Sequence, residues 1–462
     1  MKGIEMGNLE AILGKISDFV WGVPLIVLLI GTGIFLTFRL GFLQIRSLPY
    51  ALKLTFSRNQ DQESAGDISH FQALTTASAA TIGTGNIVGV ATAIALGGPG
   101  AVFWMWVAGL FGMATKYGEA VLAVKYRIKD SRGNMAGGPM YYLEHGLKQK
   151  WLGVLFAIFG SLAAFGIGNG TQAKAVADLM DSTFSIPHWV TGIILVLFAG
   201  TVILGGIKWI GRVTSYFVPF MALFYILAGL YIMIANIHLV PEALGIIFTY
   251  AFSGEAALGG TVGAVIRYGV ARGLFSNEAG LGSSPIAAAA AKTDIPGRQA
   301  LVSMVQVFFD TLIICSITGI TIVMSGLWRD KSIEAGVLTS AAFESLIGSA
   351  GPYLVTLGLL FFASSTILGW AYYGEKCFQY LFRNPKAIWV YRTVFVLFIF
   401  IGATASLNLV WTMADILNGL MAIPNLIGLI GLSGVILMET KRLQQKVKEE
   451  KVAKAGSTSA KL

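Results

Sequence analysis

Apolar runs of about twenty residues recur along the whole chain, separated by short polar connections, and each is long enough for a helix to cross a bilayer. The pattern predicts eleven spans, at about 18–38, 70–95, 99–126, 150–178, 189–207, 212–235, 258–291, 298–326, 350–378, 387–405 and 409–439. GGPG at 97–100 separates the second span from the third. Two spans are not uniformly apolar. The seventh contains GLFSNEAGLGSSP at 273–285, and the second contains TIGTGN at 81–86. Glycine and proline loosen a helix there, and unwound backbone at membrane depth survives only inside protein or along a wet cavity. Ahead of the spans, Leu9, Ile12, Leu13 and Ile16 mark one apolar helix face suited to a membrane surface.

Without the first span, ten remain, as five plus five. The two breaks then fall in the first span of each half, and five spans per half give the halves opposite orientation, as in an inverted repeat. The chain is therefore expected to be an all-α polytopic membrane protein with two broken helices. Its expected units are 1–45 (amphipathic segment and first span), 70–235 and 258–439 (the two repeats), and 440–462, a solvated basic tail.

Composition agrees with this class. Of the 462 residues, 55% are hydrophobic and only 12% charged, against about 25% charged in a soluble domain. The net charge of +9 is no nucleic-acid signal, because the basic residues sort by membrane side. Arg39, Arg46, Lys53 and Arg58 follow the first span. Lys125, Arg127, Lys129, Arg132, Lys148 and Lys150 follow the third. Lys208 and Arg212, Lys292 and Arg298, and the run from Lys441 to Lys461 fall on the same side, whereas Lys2, Lys15, Arg329 and Lys331 oppose them. Positive charge marks the cytoplasm, so the N-terminus is expected outside and the tail inside, in a plasma membrane. No removable signal peptide is expected at 1–17. Cys315 and Cys377 lie within spans and say nothing of redox compartment. In GGPMYYLEHG at 137–146, a cytoplasmic loop with a short helix is expected, with His145 a surface or packing residue.

The candidate chemistry gathers at the breaks. Half-helix N-termini offer N–H groups to an anion, and unwound carbonyls suit a cation or an ammonium group. A site with both ends suits a zwitterion, hence an amino acid with Na⁺ or H⁺ as coupled ion. Glu278 is costly at this depth and is a candidate on that ground; the plainer reading pairs it structurally with Arg267 or Arg272. Asn169 and Gln172, three apart, are expected on one helix face. Ser364, Ser365 and Thr366 cluster hydroxyls of the hard-cation type, and Thr366 and Trp370, four apart, share a face, the indole placed to limit what fits.

GGPGAVFWMW at 97–106, TIGTGNIVGVATAI at 81–94, GLFSNEAGLGSSP at 273–285 and GGPMYYLEHG at 137–146 together resemble the alanine/glycine:cation symporter family, over about residues 18 to 440. That family is similar in fold to leucine-transporter-like amino-acid carriers. The resemblance implies a secondary symporter importing alanine and glycine with Na⁺. It further implies a carboxylate bound by the N–H groups of Thr84 and Gly85 and an ammonium group facing the Thr81 carbonyl. At the second break it implies contacts from the Phe275 and Ser276 carbonyls and the region of Asn277 and Glu278. For Na⁺ it implies the carbonyls of Ala79, Ile82 and Phe362 with the hydroxyls of Ser365 and Thr366. Asn169 and Gln172 stand where the wider fold often places a tyrosine.

An H⁺-driven carrier using Glu278 and a passive channel remain as alternatives. An intramembrane enzyme would need a nucleophile–base set, and His70, His145, His188 and His238 all fall near span ends. There is no Gly-rich Lys-Ser/Thr loop of an ATPase. The expected partners are a small neutral amino acid and membrane lipid, with neither nucleic acid nor an ATPase subunit.

Overall fold

The computed structural model describes residues 2–57, 61, 63–253, 262–405 and 408–459. Arg58, the start of the seventh expected span (258–261) and Lys461 lie outside them. Within this range the chain is nearly all helix: α1 (Lys2–Val20), α2 (Val23–Arg39), α3 (His70–Thr81), α4 (Val90–Gly97), α5 (Ala101–Lys125), α6 (Lys150–Phe165), α7 (Thr171–Phe184), α8 (His188–Ile203), α9 (Gly206–Ala235), α10 (Leu239–Phe252), α11 (Val262–Asn277), α12 (Pro296–Val307), α13 (Ser316–Ser325), α14 (Ala335–Ile347), α15 (Ala350–Phe382), α16 (Pro385–Thr404), α17 (Asn408–Gly431) and α18 (Ser433–Ser459), with shorter turns between. Ile128–Lys129 and Met135–Ala136 pair as a small antiparallel ribbon.

Seven of the described helical stretches are long and apolar enough to cross a membrane: 9–39, 150–184, 206–235, 296–325, 350–382, 385–404 and 412–431. An eighth joins them if α3 and the helix Gly85–Gly97 count as one span, bent by 55° at its break. The helix α5 occupies the expected third interval but carries Lys116 and Glu119 in its middle. Two apolar helices, α10 and α14, lie in connections where the apolar pattern predicts no element.

The apolar pattern has a simple cause. Along the middle and end of α9, Phe220, Leu223, Leu227, Leu230 and Ile234 are among the exposed residues, while Met221, Tyr225, Gly229 and Ile232 are buried. A helix apolar on both faces suits protein on one side and lipid on the other. The inner helices bury polar groups instead. At α3, Ser69 caps the N-terminus: its hydroxyl accepts from the Gln72 N–H at 3.1 Å, and the Gln72 side chain accepts from the Ser69 N–H at 3.1 Å. This capping box starts the helix immediately before its buried stretch.

On the side of the cationic loops, the approach to the first broken helix is tied to the exit from the second. Ile68 and Ala291 form a parallel bridge, and Lys292 N–H donates to the Ile68 carbonyl at 2.8 Å. Gly66 lies so close to Lys292 that a Cβ would stand 2.4 Å from its backbone. The Arg127 guanidinium donates to four carbonyls across this junction, those of Ala289, Ala291, Ala65 and Thr293. Beside it, Asp61 accepts from Arg298 and Thr293 and pairs with His70. Burial pushes the Asp61 carboxyl up, but bonds from His70 and Thr293 and the Arg298 charge outweigh burial and leave it below its ordinary value.

The tail differs from expectation. The eleventh apolar interval ends at Gly431, and a new helix, α18, starts at Ser433. Its first turns are not solvated: Glu439, Thr440 and Leu443 are buried, Lys125 pairs with Glu439 at 2.6 Å, and Glu450 pairs with Arg298. GGPMYYLEHG forms the expected short helix, Pro139–Tyr141, followed by a π-helical turn, and His145 is half-buried beside Tyr141.

Candidate functional site

Two unwound segments face each other in the middle of the bundle. The first lies between Thr81 and Gly85, where α3 stops and a π-helical turn, Gly85–Gly89, leads into α4. Asn86 closes it, accepting from the Gly83 N–H at 2.9 Å. The second runs from Glu278 to Ser284, between α11 and the short helix Pro285–Ala288. Glu278, Gly280 and Gly282 all have positive φ, of 56°, 89° and 84°. Two glycines make this path accessible; Glu278, a non-glycine residue, is held there by its surroundings. Gly273, the first glycine of the motif, stays inside α11, and the break begins only at Glu278. Gly273 serves close approach instead: a Cβ there would lie 3.2 Å from the Met105 backbone.

A cavity of about 20 Å³ lies between the segments, lined by Ala80, Thr81, Gly83, Thr84, Gly85, Ile167, Gln172, Phe275, Ser276, Glu278, Thr366 and Trp370. This space admits about one water, so anything larger requires the lining side chains to move. Most of the residues expected to bind substrate line it. Gln172 bridges to the first break, accepting from the Thr84 N–H at 3.3 Å and donating to the Thr84 hydroxyl at 3.1 Å. Trp370 is buried, with Gly168 against its Cβ.

Two expected residues are not brought in. Asn169 donates to the Phe395 carbonyl at 2.7 Å on α16, away from the cavity. The reason is the π-helical turn Gly166–Gly170, which widens the helical period, so a three-residue spacing no longer keeps Asn169 and Gln172 on one face. Asn277 also turns away, donating to Thr311 at 3.0 Å and accepting from the Ala279 N–H at 2.9 Å. The suggested Glu278–arginine pair does not form. Glu278 instead accepts from Ser283 at 2.6 Å, and Arg272 lies over the Phe275 ring.

The oxygens expected to hold Na⁺ converge. The Ser365 hydroxyl lies 3.1 Å from the Ala79 carbonyl and 2.8 Å from that of Phe362. The Thr366 hydroxyl lies 3.2 Å from the Ile82 carbonyl and 3.0 Å from that of Phe362. All five are neutral, hard oxygen donors, the type that suits an alkali cation. Ser364 is not among them. Thr366 belongs to both this cluster and the cavity lining.

Several residues that hold the site do not stand out in the sequence motifs. Asp310, on the π-helical stretch Phe308–Cys315, accepts from Asn86 at 2.7 Å and Ser276 at 3.0 Å, joining one break to the other. Glu119 accepts from the N–H groups of Gly280 and Gly282 at 3.0 and 3.1 Å and from Asn425 at 2.6 Å. Lys116 donates to Ser284 at 2.7 Å. Each is an ionisable residue inside an apolar stretch, and that signal alone would have selected them. Among the described residues no cluster of His, Cys, Asp and Glu suits a metal ion.

Helices broken at facing positions around a small polar cavity define a membrane carrier, not an enzyme. The fold is shared with MhsT, solved in complex with L-phenylalanine, which superposes with a TM-score of 0.58 at 14% identity, over 81% of this chain and 92% of that one. The model of the sodium:alanine symporter family matches residues 6–456, and the chain belongs to that family. It is 59% identical to the sodium/alanine symporter AgcS of Methanococcus maripaludis, over 95% of this chain and 98% of the relative. It is 40% identical to a probable sodium/glutamine symporter, GlnT, of Bacillus subtilis, over 94% and 90%.

The grip of Glu119 on the second break is directly testable. Leaving a buried donor unsatisfied costs about 1–3 kcal/mol, and Glu119 accepts from three. Glu119→Ala is expected to lower the melting temperature of the detergent-purified protein markedly, and Glu119→Gln, which keeps the size, to lower it less. Melting of Glu119→Ala with the parent would show that the segment needs no such anchor.

Proposed function

We propose that this protein imports small neutral amino acids, alanine and glycine, together with Na⁺, by alternating access around the central cavity. The observation that carries the reading is the sharing of Thr366 between the cavity and the five-oxygen cluster. An ion held by Ala79, Ile82, Phe362, Ser365 and Thr366 would pin the first break against α15 and so fix the N–H groups that meet a substrate carboxylate. In this reading Thr84 and Gly85 take the carboxylate, with Gln172 yielding its present bond to Thr84. The Thr81 carbonyl and Glu278 face the ammonium group, with Phe275 and Ser276 completing the wall. The eleven-span, five-plus-five inverted arrangement belongs to the same proposal, with the N-terminus outside and the tail cytoplasmic. It is supported by the two facing breaks and by the cationic residues gathered at the Ala65–Thr293 junction.

A second reading, H⁺ coupling through Glu278, is favoured by one observation: that carboxylate lines the cavity and has no ion-pair partner within 4.0 Å among the described residues. The decisive experiment is alanine uptake into proteoliposomes under an imposed Na⁺ gradient, then under an imposed H⁺ gradient. The Na⁺ gradient alone is expected to drive accumulation, and a protonophore at zero membrane potential to leave it intact; the reverse result selects Glu278.

Two variants separate ion from substrate. Ser365→Ala or Thr366→Ala removes one neutral oxygen ligand and is expected to raise the Na⁺ concentration for half-maximal uptake by about tenfold, the equivalent of roughly 1.4 kcal/mol. Ser365→Ala should leave the order of preferred amino acids unchanged. Wild-type Na⁺ dependence in both variants would place the ion elsewhere.

Trp370 closes the cavity by bulk. Exclusion of this kind separates glycine from alanine by only about 1–3 kcal/mol but rejects larger side chains through overlap. Trp370→Ala is expected to let valine and leucine compete with labelled alanine and to weaken alanine itself. A variant that binds alanine as before and still ignores both competitors would remove Trp370 from the size filter.

A further inference from the structure

The helix that follows the last span is seated on the core along one face. In α18, Ile436, Glu439, Thr440 and Leu443 are buried and Val447 and Glu450 half-buried, at the spacing of one helix face, while Lys441, Arg442, Lys446 and Lys448 are exposed. On α5, Tyr117 and Thr440 share a hydrogen bond of 3.0 Å, and Lys125 pairs with Glu439. At the start of α12, Leu443 lies so close to Gly297 that a Cβ there would stand 2.9 Å from its side chain. Two turns further along α18, Glu450 pairs with Arg298.

Arg298 is the junction. One of its terminal nitrogens donates to Glu450 and the other to Asp61. Asp61 also accepts from Thr293, just beyond the second broken helix, at 2.8 Å, and pairs at 3.2 Å with His70, the first residue of α3. Gln299, beside Arg298, meets the other ring nitrogen of His70 at 2.6 Å. One guanidinium thus joins the tail to the roots of both broken helices. A planar fork of donors is suited to holding two carboxylates at once in a fixed arrangement. The four members differ in reach. The side chains of His70, Asp61 and Arg298 are 5%, 9% and 6% exposed, and that of Glu450 is 36% exposed. A cleft of about 510 Å³ opens alongside, lined in part by Asp61, Asp294, Arg298, Arg442, Lys446 and Glu449. Of the four, Glu450 is the one that water and salt reach most easily, so its contact parts first.

We infer that α18 is a strap across the entrance on the side of the cationic loops. Glu450 fixes the Arg298 guanidinium, Arg298 holds Asp61 and His70, and the Ile68–Ala291 junction stays shut until the Glu450–Arg298 pair parts. Glu450 is a positioning residue that acts through Arg298. The inference rests on the alternating access proposed above and adds a control on one of its two openings.

The test reads the junction itself, in the full chain reconstituted into liposomes. Ala290 is buried there, and its carbonyl accepts from the N–H groups of Asp67 and Ile68. In an Ala290→Cys parent, the rate at which a membrane-permeant maleimide labels the introduced thiol reports opening. Adding Glu450→Lys is expected to speed labelling about three- to fivefold, the scale of one partly exposed ion pair. Glu450→Gln should fall between, and Glu450→Asp should stay at the parent's rate. About 1 M choline chloride, which shortens the screening length to ~3 Å, should speed the parent more than it speeds Glu450→Gln. Labelling of Glu450→Lys at the parent's rate would overturn the strap, as would equal responses to salt. Cys377, buried against Gly160 of α6, is the internal control. Its labelling in step with the introduced thiol would show that α18 merely supports the fold, and would also overturn the strap. If Glu450→Lys does not fold, the salt comparison between the parent and Glu450→Gln decides. Alternating access fails separately, if Na⁺ and alanine leave the parent's labelling rate unchanged.

Discussion

Unwound backbone inside a bilayer has no water to satisfy its N–H and C=O groups, and each one left alone costs several kcal/mol. The architecture follows from meeting that demand at two facing places. Asn86 closes the first break by accepting from Gly83, and Gln172 takes the Thr84 N–H. At the second, Glu119 accepts from the N–H groups of Gly280 and Gly282 while Asn425 donates to the Gly280 carbonyl. Asp310 then ties Asn86 to Ser276, so the two breaks are one connected polar network rather than two separate defects. The helices around them bury polar residues because the breaks require partners. The outer helices, such as α9, meet no such demand and carry apolar residues on both faces.

This division explains how much the chain alone reveals. The spans and the breaks are legible because glycine, proline and short polar residues rarely interrupt an apolar run without cause. The oxygens at Ala79, Ile82, Phe362, Ser365 and Thr366 follow from family resemblance, and they converge because α15 packs directly against α3. Asn169 departs from expectation because its helix does not keep a uniform period. The three glycines of GIGNG at 166–170 are the available warning, since a π-helical turn there rotates every later residue. Lys116, Glu119 and Asp310 are visible as ionisable residues at membrane depth. Their partners, however, are far along the chain, 168, 161 and 224 residues away in the bonds to Ser284, Gly280 and Asn86. No local pattern announces such a pairing.

The small size of the central cavity has a mechanistic meaning. Trp370, Phe275 and Gln172 all line it, each in different surroundings. Gln172 already divides its bonds between the backbone and the hydroxyl of Thr84. Phe275 borders a second cavity. Trp370 is confined on one side by Gly168, where any side chain would collide with its Cβ and ring.

The central claim is that ion and amino acid are bound by one coupled structure through Thr366. Linkage makes this measurable at equilibrium, since two ligands that help each other must do so by the same factor. The measurement is the alanine dissociation constant of the purified protein without and with saturating Na⁺, and the Na⁺ affinity without and with saturating alanine. The account predicts that Na⁺ tightens alanine binding at least about tenfold and that alanine tightens Na⁺ binding by the same factor, both effects shrinking together in Thr366→Ala. Alanine binding that ignores Na⁺ and follows pH instead would contradict it.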